Sequence, residues 1–65
     1  MSMRRILELE ELIVGQWYRC ENMKTGLNFT GEVMSKESDG VWVTNPWARN
    51  FARKDLFFYY EGERK

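Results

Sequence analysis

The stretch LNFTGEVMSKESDGVWVT, residues 27–44, decides the fold class. In its first half, apolar residues or glycine alternate with polar residues, which is the period of a half-buried β-strand. The dipeptide Asp39-Gly40 lies between two extended patterns, as in a β-hairpin. The stretch therefore predicts two antiparallel strands, at 27–35 and 41–44, joined by a tight turn.

Further strand patterns flank this hairpin on both sides. They are predicted at 16–22, 49–53 and 56–60. The strand at 49–53 has an alternative, because Asn45 could instead cap a helix that begins at the proline after it.

Short strands separated by turns at close intervals are typical of a small closed sheet. We therefore predict a mainly β fold over residues 16–60, a five-stranded antiparallel barrel of the SH3-like or Sm-like kind. Gly31, in the middle of a strand, predicts a bulge or a bend where that strand turns a corner.

The two ends of the chain lie outside the predicted barrel. Residues 3–13 are rich in helix formers, with apolar residues at helical spacing, and predict a short N-terminal helix. Alternation within the same segment leaves an N-terminal strand as the alternative. Residues 61–65 predict a polar tail. We expect one free-standing domain over residues 1–65, because the chain begins at a methionine and ends soon after its last predicted strand.

Composition excludes several classes of protein. Ten basic and ten acidic residues give a net charge of zero, so no overall field favours nucleic acid or an anionic membrane. Cys20 is the only cysteine and there is no histidine, which excludes an internal disulfide and a Cys/His zinc site. We expect no metal and no cofactor. Glutamates interrupt the N-terminal segment where a signal peptide would be apolar, and no run reaches the about 18 apolar residues of a membrane span. We expect a cytoplasmic protein.

Aromatic residues are numerous for a chain of 65 residues: three tryptophans, three tyrosines and four phenylalanines. Strand alternation predicts that they divide between the two faces of the sheet. The predicted interior consists of Phe29, Val33, Val41, Val43, Leu56 and Phe58. The aromatic residues predicted to point outward are Trp42, Phe57 and Tyr59. Either the N-terminal helix or a partner could cover them.

Exposed tryptophan and tyrosine side chains dominate many protein–protein interfaces. We therefore predict a surface for a protein partner made by Trp42, Trp47, Phe57 and Tyr59. On the first strand, alternation places Cys20 on one face with Tyr18, and Trp17 with Arg19 on the other. We expect Cys20 to be a buried, inert thiol.

The segment Trp47–Lys54 carries a second hypothesis, because cations alternate there with aromatic rings. In single-stranded nucleic-acid binding, bases stack on aromatic rings while cations contact phosphates. The candidate nucleic-acid-binding residues are Trp47, Arg49, Phe51, Arg53 and Lys54. The alternative places Trp47 and Phe51 in the core, with the cationic side chains lying over them.

Catalytic patterns are missing from the sequence. There is no histidine to act as a base or to activate Cys20, and no glycine-rich phosphate loop. Glu8, Glu10 and Glu11 are more simply explained as a solvated face than as catalytic acids. We therefore expect a non-enzymatic small binding or regulatory protein, of the accessory kind that bacteria and phages make. The alternatives are a nucleic-acid-binding barrel and a self-associating structural component.

Overall fold

A computed structural model of the chain describes residues 4–45 and 47–62. The described residues form a single antiparallel sheet of six strands and almost no helix. All five predicted strands are present, each with bounds within two residues of the prediction. The strands are β1 (Arg5–Ile6), β2 (Trp17–Asn22), β3 (Asn28–Glu37), β4 (Gly40–Thr44), β5 (Arg49–Arg53) and β6 (Phe57–Glu61).

The order of the strands in the sheet is β1-β6-β2-β3-β4-β5. From β2 to β5 the chain runs as a meander, since each strand pairs with the next one along the sequence. Strand β6 then returns to pair with β2 on one side and with β1 on the other. The sheet is open, with β1 and β5 as its edges, so the hydrogen-bonded closure that the turn spacing predicted is not observed.

The core lies on one face of this sheet, which we call the inner face. Val33, Val41 and Val43 are fully buried there, as predicted, because alternate residues of β3 and β4 point the same way. Cys20 and Tyr18 extend the core onto β2. Phe29 is only half-buried, at the margin of the core.

The sheet bends strongly enough to bring distant strands together across the core. The Tyr59 hydroxyl on β6 donates a hydrogen bond of 2.6 Å to the Ala52 carbonyl on β5. A Cβ added at Gly31 would lie 2.5 Å from the Thr44 carbonyl oxygen, so only glycine permits that approach. The bulge itself falls later in β3, where Met34 is the extra residue between the pairs of β3 and β4.

The N-terminal helix predicted over residues 3–13 is wrong for the residues that the structure describes. Arg5–Ile6 is a strand paired with Tyr59 and Tyr60, and only Leu9–Glu11 form a short 3₁₀ turn. Position 3 lies outside the described residues. A helix of this length is marginal in water, whereas pairing with β6 satisfies the backbone and buries Ile6.

The segment between β1 and β2 packs on the core through Leu12, which is fully buried. The ammonium group of Lys36, on β3, donates to the Leu12 carbonyl at 2.8 Å and to the Leu9 carbonyl at 3.4 Å. The Tyr18 hydroxyl accepts a bond of 2.9 Å from the Ile13 N–H. Side chains of the sheet thus satisfy the backbone of this irregular segment.

The predicted orientation of β6 is also wrong. Tyr59 is 5% exposed and lies in the core, and Phe57 is half-buried on the same inner face. The Phe57 ring meets Phe29 edge to face at a centroid distance of 6.0 Å. Phe58, predicted inside, points to the outer face instead. The predicted polar tail begins with Glu61, which is the last residue of β6, and residues 63–65 lie outside the described part.

Candidate interaction surface

The outer face of β4 and β5 carries an aromatic pair. Trp42 and Phe51 are cross-strand partners, and their rings lie 5.0 Å apart at an angle of 53°. Such tilted pairs are stabilising beyond the apolar area that they bury. Phe51 is half-buried, whereas Trp42 remains 38% exposed. The outward orientation predicted for Trp42 is confirmed.

Gly40 leaves room for the end of the Phe51 ring close to the backbone of β4. A Cβ at position 40 would lie 2.9 Å from Cζ of Phe51 and 2.6 Å from the Ala52 carbonyl oxygen. Any side chain there would therefore push the ring or the neighbouring strand away. The sequence indicated Gly40 only as a turn residue, and nothing in the sequence pattern links it to Phe51.

Trp47 lies in the turn that joins β4 to β5 and is 91% exposed. The Asn45 side-chain oxygen accepts hydrogen bonds from the Trp47 N–H at 3.0 Å and from the Ala48 N–H at 2.9 Å. This side-chain bonding satisfies the backbone N–H groups of Trp47 and Ala48. The alternative that places Trp47 and Phe51 in the core is wrong: alternation along β5 sends Phe51 outward, and the turn holds Trp47 in solvent.

Two arginines lie on either side of Phe51 on the outer face of β5. Arg49 and Arg53 are both exposed, and Arg53 forms an ion pair of 2.7 Å with Asp55. The predicted strand at 49–53 is confirmed, and Arg49, Phe51 and Arg53 share its outer face. We call the residues Trp42, Trp47, Arg49, Phe51 and Arg53 the β4–β5 surface.

Lys54 does not continue the alternation of β5. Its backbone N–H donates to the Asp39 carbonyl at 2.9 Å, and the residue lines a separate cleft beside β6 and the N-terminal segment. This open cleft has a volume of about 130 Å³, below the roughly 300–1,000 Å³ of a typical small-molecule site. The structure therefore separates Lys54 from the other four candidate nucleic-acid-binding residues.

Acidic residues border the β4–β5 surface on the side of β3. The register places Glu32 opposite Thr44 and Glu37 opposite Gly40, so both carboxylates share the outer face. Neighbouring strands are about 4.8 Å apart. The acids of β3 are therefore about 10 Å from the arginines of β5, and the charge of the surface is positive only towards its β5 edge.

A second group of outward aromatic rings is covered by the chain itself. The Arg5 guanidinium lies 4.0 Å from the centre of the Phe58 ring, and that of Arg19 lies 5.1 Å from the Tyr60 ring. Such cation–π contacts stabilise rings that would otherwise face water. No sequence pattern predicts these pairs, because each joins strands that are distant along the chain.

Two of the four residues predicted for a protein partner are not exposed: Tyr59 is buried and Phe57 is half-buried. Tyr59 is buried, and its hydroxyl pKa is raised mainly by that burial. Phe57 packs against Phe29 on the inner face. Only Trp42 and Trp47 of the predicted set are exposed.

Cys20 is fully buried, and desolvation raises the pKa of its thiol to about 12. Such a thiol stays protonated at neutral pH and behaves as a small apolar residue. Within residues 4–45 and 47–62, no three acidic or cysteine side chains lie close enough together to hold a metal ion.

Comparison with known proteins gives no relative. No protein family, no curated protein and no solved structure matches the chain. In the part of the chain that the structure describes, no helix has the length and apolarity needed to span a membrane.

Proposed function

We propose that this chain is a small non-enzymatic binding module that docks a protein partner through the β4–β5 surface. The observation that carries the proposal is Trp47, an almost completely exposed indole whose backbone N–H, like that of Ala48, donates to the Asn45 side chain. A residue whose backbone is already held in this way loses less conformational entropy when it binds. We keep the expected setting, an accessory protein of a bacterial or phage cytoplasm, as part of this proposal.

The energy available at this surface supports the proposal. An aromatic side chain buries about 150–250 Å², which at about 25 cal/mol per Å² is an upper limit of about 4–6 kcal/mol for Trp47. Trp42 would add less, because Phe51 already covers part of its ring. Tryptophan and arginine are also the residue types that are enriched at the centre of protein–protein interfaces.

The proposal is tested with variants that remove one exposed apolar side chain each. The immobilised full chain would capture partners from an extract of its source cells, and binding would be measured again with the purified partner. We expect Trp47→Ala and Trp42→Ala to weaken binding by about 30-fold or more, as at binding hot spots. Leu27→Ala is the matched control, because Leu27 is 73% exposed and lies away from the β4–β5 surface.

Circular dichroism should show that all three variants fold. If the two tryptophan variants bound the purified partner as tightly as Leu27→Ala, the β4–β5 surface would not be the docking site.

A second candidate function is binding of single-stranded nucleic acid, and one observation favours it. Arg49, Phe51 and Arg53 share the outer face of β5 and lie beside Trp42, so cations and a stacking platform occur together. This function predicts affinity for labelled single-stranded DNA or RNA that falls steeply between two salt concentrations, since phosphate contacts release counterions. Absence of binding at low salt would exclude it.

We also propose that the sheet is related in architecture to SH3-like or Sm-like barrels. The support is the bend of the sheet, which lets Tyr59 on β6 bond to Ala52 on β5 across the core. Its hydrogen bonding stays open between β1 and β5. An experimental structure would test this relation through the path of those two edge strands.

A further inference from the structure

Among residues 4–45 and 47–62, strand β5 is an edge of the sheet, and β4 is the one strand with which it pairs. Hydrogen bonds from Asn45 N–H to Ala48 O, at 3.1 Å, and from Lys54 N–H to Asp39 O, at 2.9 Å, bracket the hairpin. In an antiparallel ladder, residues alternate between bonding to the neighbouring strand and facing away from it.

Applied to this register, the alternation directs the backbone groups of Asn50 and Ala52 towards β4. The N–H groups of Arg49, Phe51 and Arg53 then face the open edge, as do the carbonyls of Arg49 and Phe51. The Arg53 carbonyl instead accepts a bond of 3.1 Å from the Leu56 N–H. The edge therefore presents donors and acceptors with the spacing that another strand requires.

The charge at this edge selects the kind of strand that can pair there. A strand added beside β5 would lie about 4.8 Å from it but about 14 Å from β3, given the usual spacing of strands. Screening at physiological salt extends over about 8 Å. Side chains of the added strand would therefore interact with Arg49 and with the ion pair of Arg53 and Asp55, and much less with Glu32 and Glu37.

We propose that β5 accepts an extended segment of a protein partner as an additional antiparallel strand, with acidic side chains opposite Arg49 and Arg53 and an apolar side chain opposite Phe51. This inference rests on the proposed function and names the partner's chemistry. Main-chain hydrogen bonds provide affinity in this type of recognition, and alternate side chains provide specificity. The pattern acidic, any residue, apolar, any residue, acidic is the expected recognition sequence.

A second copy of the chain fits this edge less well. Two copies could pair their β5 strands in antiparallel orientation. If all three edge residues of both copies took part, Phe51 of one copy would lie opposite Phe51 of the other. This pairing would then place Arg49 of each copy opposite Arg53 of the other, and like charges directly opposite each other destabilise a strand pair.

The test uses the isotope-labelled full chain and a synthetic peptide, acetyl-Ser-Glu-Thr-Val-Thr-Glu-Ser-amide, followed by NMR. We expect slower hydrogen exchange, by about tenfold or more, at the Arg49 and Phe51 amides when the peptide is bound. The Asn50 and Ala52 amides should change little, because they already bond to β4. A peptide N-methylated at the residues facing β5 should not bind.

The role of charge is tested by reversing the charges first in the peptide and then in the protein. A peptide with lysine in place of both glutamates should bind about tenfold more weakly. Arg49→Glu should weaken binding of the acidic peptide and improve binding of the lysine peptide. Lys24→Glu makes the same charge change in the exposed β2–β3 turn and should leave both affinities unchanged.

The outcomes separate this inference from the proposed function. If the peptide shifted the NMR signals of Trp42 and Trp47 only, and did not slow hydrogen exchange at the β5 amides, strand addition would be refuted. Docking on the aromatic face would still stand. Protection of the edge, with capture of the natural partner unaffected by Trp42→Ala and Trp47→Ala, would support strand addition and refute the aromatic docking site. Binding of single-stranded oligonucleotide but not of the acidic peptide, or a dimer detected by light scattering, would also overturn strand addition.

Discussion

Replacing Tyr59 by phenylalanine isolates one hydrogen bond that spans the core. The aromatic ring stays, so packing is preserved, and only the 2.6 Å bond from the hydroxyl to the Ala52 carbonyl is lost. The Ala52 carbonyl also faces the Val41 N–H in the β4–β5 ladder. It therefore keeps this strand hydrogen bond in the variant. The expected cost is therefore the net value of one buried hydrogen bond, about 1 kcal/mol.

In a chain of this size, about 1 kcal/mol lowers the melting temperature by about 4–8 °C. Thermal unfolding followed by circular dichroism measures this shift, and urea unfolding measures the free energy. Tyr60→Phe is the matched control, because Tyr60 lies on the outer face and its hydroxyl has no hydrogen bond to the residues that the structure describes. The reasoning is refuted if Tyr59→Phe has the same melting temperature as the wild type, or if Tyr60→Phe lowers the melting temperature by as much as Tyr59→Phe.

Three further changes test other contacts. Asn45→Ala removes the acceptor that holds the turn and should destabilise the chain by about 1 kcal/mol while increasing the mobility of the Trp47 amide; an NMR relaxation profile like that of the wild type would contradict this. Gly40→Ala should cost about 1–3 kcal/mol and displace the Phe51 ring, which the loss of its ring-current shifts would report; unchanged shifts would count against the contact. The unfolded chain releases the Cys20 thiol proton from about pH 9, whereas the folded chain keeps it up to about pH 12. The thiol's contribution to stability is therefore complete below pH 9 and is lost as the pH rises to about 12, by about 1.4 kcal/mol per pH unit. Cys20→Ala should reduce that slope in urea unfolding, and an identical slope would show that the thiol is not the titrating group.

Local signals account for the parts of the fold that the sequence predicted. The hairpin of β3 and β4 follows from alternation and the Asp39-Gly40 turn, both of which are contained in one short stretch. Strand β5 follows in the same way from the alternation of Arg49, Phe51 and Arg53. Neither feature needs information about a distant part of the chain.

The N-terminal segment was mispredicted because its structure depends on a distant strand. Helix-forming residues and helical spacing describe the isolated segment correctly, but Ile6 is buried by pairing with β6 near the other end of the chain. Tertiary pairing overrides a weak local preference of this kind. Alternation within the segment left a strand as the alternative, and the pairing of Arg5–Ile6 with β6 decides in favour of that strand.

The orientation of β6 could not be predicted because LFFYY, residues 56–60, is apolar at every position. A strand without alternation gives no signal for which residues point inward, and a shift of one residue exchanges the two faces. The pairing with β2 places Tyr59 in the core and Phe57 on the same inner face, partly buried against the core. Two of the four residues predicted for a protein partner therefore face inward.

The two outward aromatic groups use the same residue types in different ways. On β6, arginines from β1 and β2 lie over the Phe58 and Tyr60 rings, so the chain supplies its own cations to these faces. On the β4–β5 surface, within the described residues, neither Arg49 nor Arg53 lies over a ring, and Trp47 is almost fully in water. Within the described residues, cations of the chain thus cover the rings of the first group, whereas Trp42 and Phe51 contact each other and Trp47 stays exposed. A binding partner would bury more exposed aromatic surface at the second group, which is why we propose the β4–β5 surface as the docking site.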